Sequence, residues 1–377
     1  MSLSEIKSRI LRLREEMKKR GYSHALVTTR SNVFYFSNYR TPLPEDYYVY
    51  TVISLDAEPI LYVPRLELDS AEEVSKVPVI GYSTYEVERR PGECCIVIKS
   101  PLDLIKDYCE RTGTKVTKLL IDKLLHKLSI KMKEEGIEFE EESEVFKELR
   151  SIKSEYEVEM IRKAVEITEE AIVSTLSDLS KEPRERDIAA KLMQFLVAKG
   201  CEELAFVPIV ASGPNAANPH YTYGDRVIRS DEVIIMDVGA VYCGYCSDIT
   251  RTIVTGASPP KVRQYLDAVL EAQQEAIARI RDGVKACEVD KVAREVLSKY
   301  GLSRYFIHGL GHGVGIEVHE APALSPSSTT TLREGMVVTV EPGVYITKVL
   351  GIRVEDVVYV SKSGCRVLTR LSRELYA

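Results

Sequence analysis

The chain is short of several things, and each shortage removes a class of function. It has no excess of positive charge: 51 Lys and Arg stand against 57 Asp and Glu, a net charge of −6. That leaves no basic footprint for nucleic acid. No apolar run approaches the ~18 residues of a membrane-spanning helix. The first residues, "MSLSEIKSRILRLREEMKKR", pattern as a charged amphipathic helix without the apolar region of a secretory signal. These features predict a cytoplasmic protein with neither nucleic-acid nor membrane partners. Asn and Gln together number only eight while charged residues abound, a balance that leans towards heat adaptation. The eight cysteines are scattered along the chain, which predicts reduced thiols. "CGYC" at 243–246 has no second CxxC to complete a zinc site, so packed thiols are expected there. Histidine is scarce as well: six in all, three of them within "HGLGHGVGIEVHE" at 308–320.

A length of 377 residues predicts two or three domains. Residues 1–140 alternate helical and strand patterns and predict a small α/β domain. A helix over 4–20 precedes the strand "HALVTT", and "VYTVISL" and "PILYVP" read as a hairpin around "DAEP". Its histidines, His24 and His126, have no carboxylate cluster beside them and are read as structural. The polar stretch "KEEGIEFEEESEVF" (133–146) is the expected boundary, with a second domain over 145–377. That domain opens with helices over 154–177 and 184–199, and later carries two more near 260–281 and 288–300.

The second domain contains an approximate internal repeat. "VIIMDVGAVY" (233–242) and "VVTVEPGVYI" (337–346) each run from an apolar strand to a carboxylate, one further residue, Gly, and a short apolar segment with Tyr. Each is followed by a second strand with its own carboxylate, Asp248 in "CSDITRTIV" and Glu355 in "GIRVEDVVYV". The spacing suits two hairpins, each presenting a pair of carboxylates. Four carboxylates on apolar strands cannot gather without compensation, because a buried unpaired charge is costly. Two divalent cations would balance them, as in two-metal hydrolytic sites. A nitrogen ligand in such a set favours Mn, Co, Zn or Fe over Mg or Ca.

The histidine-rich stretch is tested against three motifs and fits none. A GxGxxG phosphate loop requires glycine where Val314 or Ile316 stands. A metal pair at His308 and His312 spaced i, i+4 requires a helix, which glycines at 309, 311 and 313 disfavour. HExxH fails because His319-Glu320 is followed by Ala-Pro-Ala. An extended or irregular segment remains.

Together, "DVGAVYCGYCSDITRT" (237–252), "HGLGHGVGIEVHE", "EPGVY" (341–345), "GIRVED" (351–356), "NPHY" (218–221) and "ELRSIKSEYEVEMIRKAVEITEEAI" (148–172) resemble the aminopeptidase P and prolidase family. The resemblance spans essentially the whole chain. It implies an α/β creatinase-like N-terminal domain and an α+β "pita-bread" catalytic domain that hydrolyses Xaa-Pro bonds with two divalent ions. By resemblance, Asp237 binds one ion, Asp248 and Glu355 bridge, and His312 and Glu341 complete the second. His220 and His319 are implied to contact substrate and stabilise the tetrahedral intermediate, with Glu341 as general base. His308, Tyr345 and Arg353 match supporting positions. A homodimer is the family expectation, and peptides with proline second are the expected substrates. Related prolidases often read "HEEPR" where this chain reads "HEAPA", which puts Ala323 in place of an arginine thought to hold a dipeptide carboxylate. Arg333, Arg40 and Arg65 are candidate substitutes. The change tilts the reading towards Xaa-Pro aminopeptidase, with Xaa-Pro dipeptidase as the alternative. A metal-free creatinase-like enzyme or a catalytically silent binding module fits the intact ligand set less well.

Overall fold

The structure, a computed structural model, describes all residues except Glu45, Asp46, Val87, Lys181, Ser258 and Ala377. The chain divides into two compact units, Met1–Leu149 and Arg150–Ala377. The division falls later than the polar stretch 133–146. That stretch holds the end of one helix, an edge strand and the start of the helix Ser143–Ser151.

The first unit is built on one sheet of seven strands: β1 (His24–Val27), β2 (Tyr50–Ser54), β3 (Ile60–Pro64), β4 (Val79–Ser83), β5 (Cys95–Val97), β6 (Lys118–Ile121) and β7 (Glu138–Glu141). Their order is β5-β4-β3-β2-β1-β6-β7. The expected hairpin is the antiparallel pair β2–β3, and β1 runs parallel to β6. The helix Leu3–Arg20 opens on Ser2, whose side chain accepts the Glu5 N–H, and closes on Gly21 in the left-handed region. A second helix, Arg30–Ser37, is absent from the sequence reading. Its "RSNVFYFS" is buried on nearly every side, so no polar face marks the helical period. His24 is buried between Ser23 and Thr114, and burial pushes its pKa down to about 4.

The second unit carries β8 (Glu203–Leu204), β9 (Ile209–Ser212), β10 (Val233–Val238), β11 (Ala240–Tyr242), β12 (Tyr245–Cys246), β13 (Ile249–Val254), β14 (Gly311–Gly313), β15 (Glu320–Leu324), β16 (Val337–Val340), β17 (Gly343–Ile346), β18 (Leu350–Arg353), β19 (Asp356–Val360), β20 (Cys365–Val367) and β21 (Leu375–Tyr376). The repeat is visible as strand, small hairpin, strand. β10 and β13 pair antiparallel with Asp237 opposite Thr250, and β11–β12 is inserted between them in another sheet. β16 and β19 pair antiparallel with Val340 opposite Asp356, and β17–β18 is inserted between them. The sequence reading placed each carboxylate pair on one simple hairpin. The inserted hairpins instead leave three of the four carboxylates in the joints outside the regular strands.

Four helices cover these sheets: Glu155–Ser177, Glu185–Ala198, Pro260–Arg279 and Ala286–Lys299. The first is started by a capping box in which Ser154 and Glu157 satisfy each other's backbone N–H. Pro260–Arg279 and Ala286–Lys299 pack a shared core with β16, β18 and β19, including Leu266, Val269, Val338, Ile352 and Val358. The segment leading to β21 is held from both sides. Glu169 accepts the N–H groups of Arg370 and Leu371. Buried Arg251 donates to the carbonyls of Leu371 and Ser372, to the Glu355 carbonyl, and to Asp356 Oδ1 at 2.8 Å.

Candidate active site

Each carboxylate stands where a strand ends or begins. Asp237 is the penultimate residue of β10, Asp248 precedes β13, Glu341 follows β16 and Glu355 precedes β19. Their side chains meet with two histidines in three overlapping groups: Asp237–Asp248–Glu355, His312–Glu341–Glu355 and Asp248–His312–His319. Within each group the candidate donor atoms all lie within 4.8 Å of one another. All of them line one cavity of about 520 Å³, together with His220, His308, Arg353, Ala323, Phe206, Val207 and Ile209.

The protein compensates only part of this charge. Arg353 Nη2 donates to Asp237 Oδ2 at 2.6 Å, and Thr250 Oγ1 donates to Glu355 Oε2 at 2.7 Å. Asp237 Oδ1, Asp248 Oδ1 and Glu355 Oε1 are buried with no hydrogen-bond partner. Leaving such atoms unmet is expensive. Burial, and then the repulsion of Glu355, Asp237 and Glu341, pushes the Asp248 pKa well above the carboxylate range. Burial, Glu341 and Asp237 do the same to Glu355. Burial also opposes the Glu341 anion, but His312, His308 and Arg353 outweigh it and hold its pKa down. Burial depresses His312, yet its contact with Glu341, Nε2 to Oε1 at 3.3 Å, leaves its pKa raised. Three orphaned carboxylate oxygens converging beside an imidazole are the donor chemistry of a divalent-cation site. The residues present therefore fit the ions that the resemblance implies.

His312 is aimed by its other nitrogen. Nδ1 faces the Gly313 carbonyl at 3.1 Å and so carries hydrogen, which turns Nε2 towards Asp248 and Glu341. Strand β14 that carries it is squeezed between neighbours. A Cβ on Gly311 would sit 2.1 Å from the Thr339 carbonyl, and one on Gly313 would sit 2.3 Å from that of Ala321. Only glycine allows the strands this close.

A second line of contacts runs behind the carboxylates. His308 Nδ1 faces the Gly309 carbonyl at 2.8 Å, so Nε2 is left to accept from the Tyr345 hydroxyl at 2.9 Å. Arg353 Nη1 donates to the same hydroxyl at 2.7 Å while its Nη2 holds Asp237. Burial lowers the His308 pKa, which keeps it the acceptor in this chain, and raises Tyr345 to about 12. His319 packs edge-on against His312, ring centroids 4.3 Å apart, and is exposed, as is His220. Burial and the neighbouring His312 lower the His319 pKa.

Sequence reasoning missed several participants. Thr250 and Thr339 tie the carboxylates to the strands, Thr339 Oγ1 receiving the His312 N–H at 3.1 Å. Glu320, beside His319, is buried in ion pairs with Arg150 at 2.6 Å and Lys153 at 3.0 Å. "RSIK" within the matching stretch 148–172 is the signal for that pairing. Two proposed substitutes for the missing arginine are accounted for differently. Arg333 is not among the residues lining the cavity and lies 4.0 Å from Asp282. Arg65 is bound to Glu93 within the first unit. The cysteines of "CGYC", like the other six, are free thiols.

Residues 159–362 match the model of "Metallopeptidase family M24", and residues 9–152 match "Creatinase/Prolidase N-terminal domain". The chain belongs to metallopeptidase family M24. It is 37% identical to the Xaa-Pro dipeptidase of Pyrococcus furiosus over 98% of this chain and 100% of that one. The prolidase structure from Pyrococcus horikoshii OT3 superposes with a TM-score of 0.85 at 36% identity, covering 98% and 99% of the two chains. The X-Pro aminopeptidase structure from Thermotoga maritima gives 0.86 at 30% identity, covering 97% and 99%. The M24 assignment makes this chain a metal-dependent peptidase with a creatinase-like N-terminal domain and a pita-bread catalytic domain. No described helix is long and apolar enough to cross a membrane.

Proposed function

We propose that the protein is an Xaa-Pro dipeptidase using two divalent cations, held by Asp237, Asp248, His312, Glu341 and Glu355. The observation that carries the metal site is the set of three partnerless buried oxygens, Asp237 Oδ1, Asp248 Oδ1 and Glu355 Oε1. The choice of dipeptidase over aminopeptidase is supported by the 37% identity with a named Xaa-Pro dipeptidase along the full chain. This outweighs the opposite tilt drawn from Ala323. A homodimer belongs to the same proposal by family resemblance. A cytoplasmic location is supported by the eight free thiols.

Bound divalent cations supply Lewis acidity and a water acidic enough to ionise near neutral pH. The protein's own groups do the rest. Glu341, whose anion is favoured by His312, His308 and Arg353, accepts a proton from the attacking water and delivers it to the departing proline nitrogen. His319, exposed beside the cluster, donates to the carbonyl oxygen as it gains charge. Phe206, Val207 and Ile209 give the proline ring an apolar wall. Arg353 is committed to Asp237 and Tyr345. With His319 given to the carbonyl oxygen, His220 is the exposed nitrogen donor left in this lining for the dipeptide's free carboxylate.

The test compares Xaa-Pro dipeptides with Xaa-Pro-Yaa tripeptides, before and after chelation and after Mn²⁺ or Co²⁺ is restored. The expected result is chelator-sensitive cleavage of the dipeptides, recovered with metal. Preference for tripeptides makes the protein an Xaa-Pro aminopeptidase, and turnover indifferent to chelation contradicts the metal mechanism.

A further inference from the structure

Gln273 lies on the helix Pro260–Arg279 and is fully buried. Its Nε2 donates to the carbonyl of Val340 at 3.0 Å and to that of Val354 at 3.3 Å. These are the carbonyls of the two peptide groups that lead into Glu341 and Glu355. The other half of each peptide group is pinned too. The Glu341 N–H donates to Leu310 O at 2.8 Å, and the Glu355 N–H donates to Thr250 O at 3.1 Å. One amide thus touches both planes whose rotation would swing the two glutamates. Both of its partners are carbonyl oxygens, which only accept, so the NH₂ end must face them. Its Oε1 is left buried without a partner, which makes Gln273 costly as mere filling.

The other half of the site uses the same plan with different groups. Ser247, which precedes Asp248, shares a hydrogen bond of 2.8 Å with Thr168 on the helix Glu155–Ser177 and accepts the Ala240 N–H at 3.0 Å. In each half, a covering helix sends one buried polar side chain to the chain beside a candidate ligand.

We infer that Gln273 is a positioning residue of the metal centre: it sets the separation of Glu341 and Glu355 by clamping the peptide groups before them. The inference rests on the cation site proposed above. Gln273→Met keeps much of the volume and removes the donor. Gln273→Glu keeps the shape but, held protonated by burial against two carbonyls, has a single O–H that can hold only one of them, so it serves if the first variant does not fold. Exposed Gln274→Met, one residue along, is the control. Mn²⁺ is titrated into chelator-stripped full-length protein, the visible spectrum of the Co²⁺-loaded protein is recorded, and thermal midpoints are taken without metal. Both Gln273 variants are expected to weaken Mn²⁺ binding by about 10–100-fold, the scale of losing an outer partner of a metal ligand. They are also expected to alter the Co²⁺ bands and to lower kcat more than they raise KM. The control should match the parent. Unchanged Mn²⁺ affinity and Co²⁺ bands with only a lower thermal midpoint would reduce Gln273 to a packing role. Parent protein that takes up no Mn²⁺ would remove the cation site itself, a failure separate from that of the clamp.

Discussion

In the strand pair β10–β13 the carboxylates are aspartates, and the helix steadies the chain before Asp248 through the Thr168 hydroxyl on Ser247. In β16–β19 they are glutamates, steadied by the amide of Gln273. The direct bonds to the carboxylates, however, cross over. Asp237 of the first pair is held by Arg353 at the end of β18, the strand inserted in the second, and Glu355 beside the second is held by Thr250 of the first. Neither pair completes a site alone. Asp248 is the odd member: its close nitrogen contact is His312 Nε2 at 3.6 Å, and its Oδ1 has no partner. Internal repetition supplies the layout here, and exchange between the repeats supplies the rigidity.

The comparison is broken most severely at Asp248, the carboxylate that depends most on a bound cation. Asp248→Asn is expected to lose bound metal, read by elemental analysis, and to drop turnover to that of chelated protein. Full metal retention would mean that the other four candidate ligands suffice.

Removing the ions should reveal the uncompensated charge as a pH dependence. The Asp248 and Glu355 pKa values are raised in the folded protein. The folded state therefore keeps protons that the unfolded chain has released, and stripped protein loses stability as pH rises above the ordinary carboxylate range. Glu320 works in the opposite sense. Burial disfavours its anion, but Arg150 and Lys153 outweigh that and hold its pKa at about 2. Its stabilisation is present above the usual glutamate value and is lost as pH falls towards 2. Thermal midpoints across pH should thus fall on both sides for stripped protein, and Mn²⁺ should abolish the loss on the high side. Glu320→Gln should flatten the acid limb. A pH profile unaffected by Mn²⁺ would place the charge compensation elsewhere.

The smallest effect is expected behind the site. Tyr345→Phe removes the hydroxyl between His308 and Arg353 but leaves Arg353 on Asp237. A net loss of about 1 kcal/mol corresponds to roughly five-fold in kcat, with metal content unchanged. A loss of metal in this variant would show that the hydroxyl, and not only the arginine, maintains Asp237.

What was legible in the sequence depended on chemistry that spacing reveals. The carboxylates stand out because each lies at or beside an apolar run in the sequence, and the structure brings Asp237, Asp248, His312, Glu341 and Glu355 together. Gln273 was equally within reach: it is a polar residue on the apolar face that Val269, Ala276 and Ile277 form on its helix. The inserted hairpins were not legible, because only Val354 and Glu355 separate β18 from β19, so "GIRVEDVVYV" reads as a single strand. Nor was Thr250, whose β-branched side chain suits any strand. The helix Arg30–Ser37 escaped because burial on all sides erases the period by which helices are read.

Arg251 joins the Glu355 carbonyl to those of Leu371 and Ser372, groups 120 residues or so further along the chain. A ribosome incorporates Arg251 long before it adds the residues whose carbonyls receive it. A nascent chain halted just short of Leu371 would already contain Asp237, Asp248, His312, Glu341 and Glu355, yet Arg251 would lack two of the carbonyls it serves. These two bonds of Arg251 therefore become available only after every candidate ligand has been made.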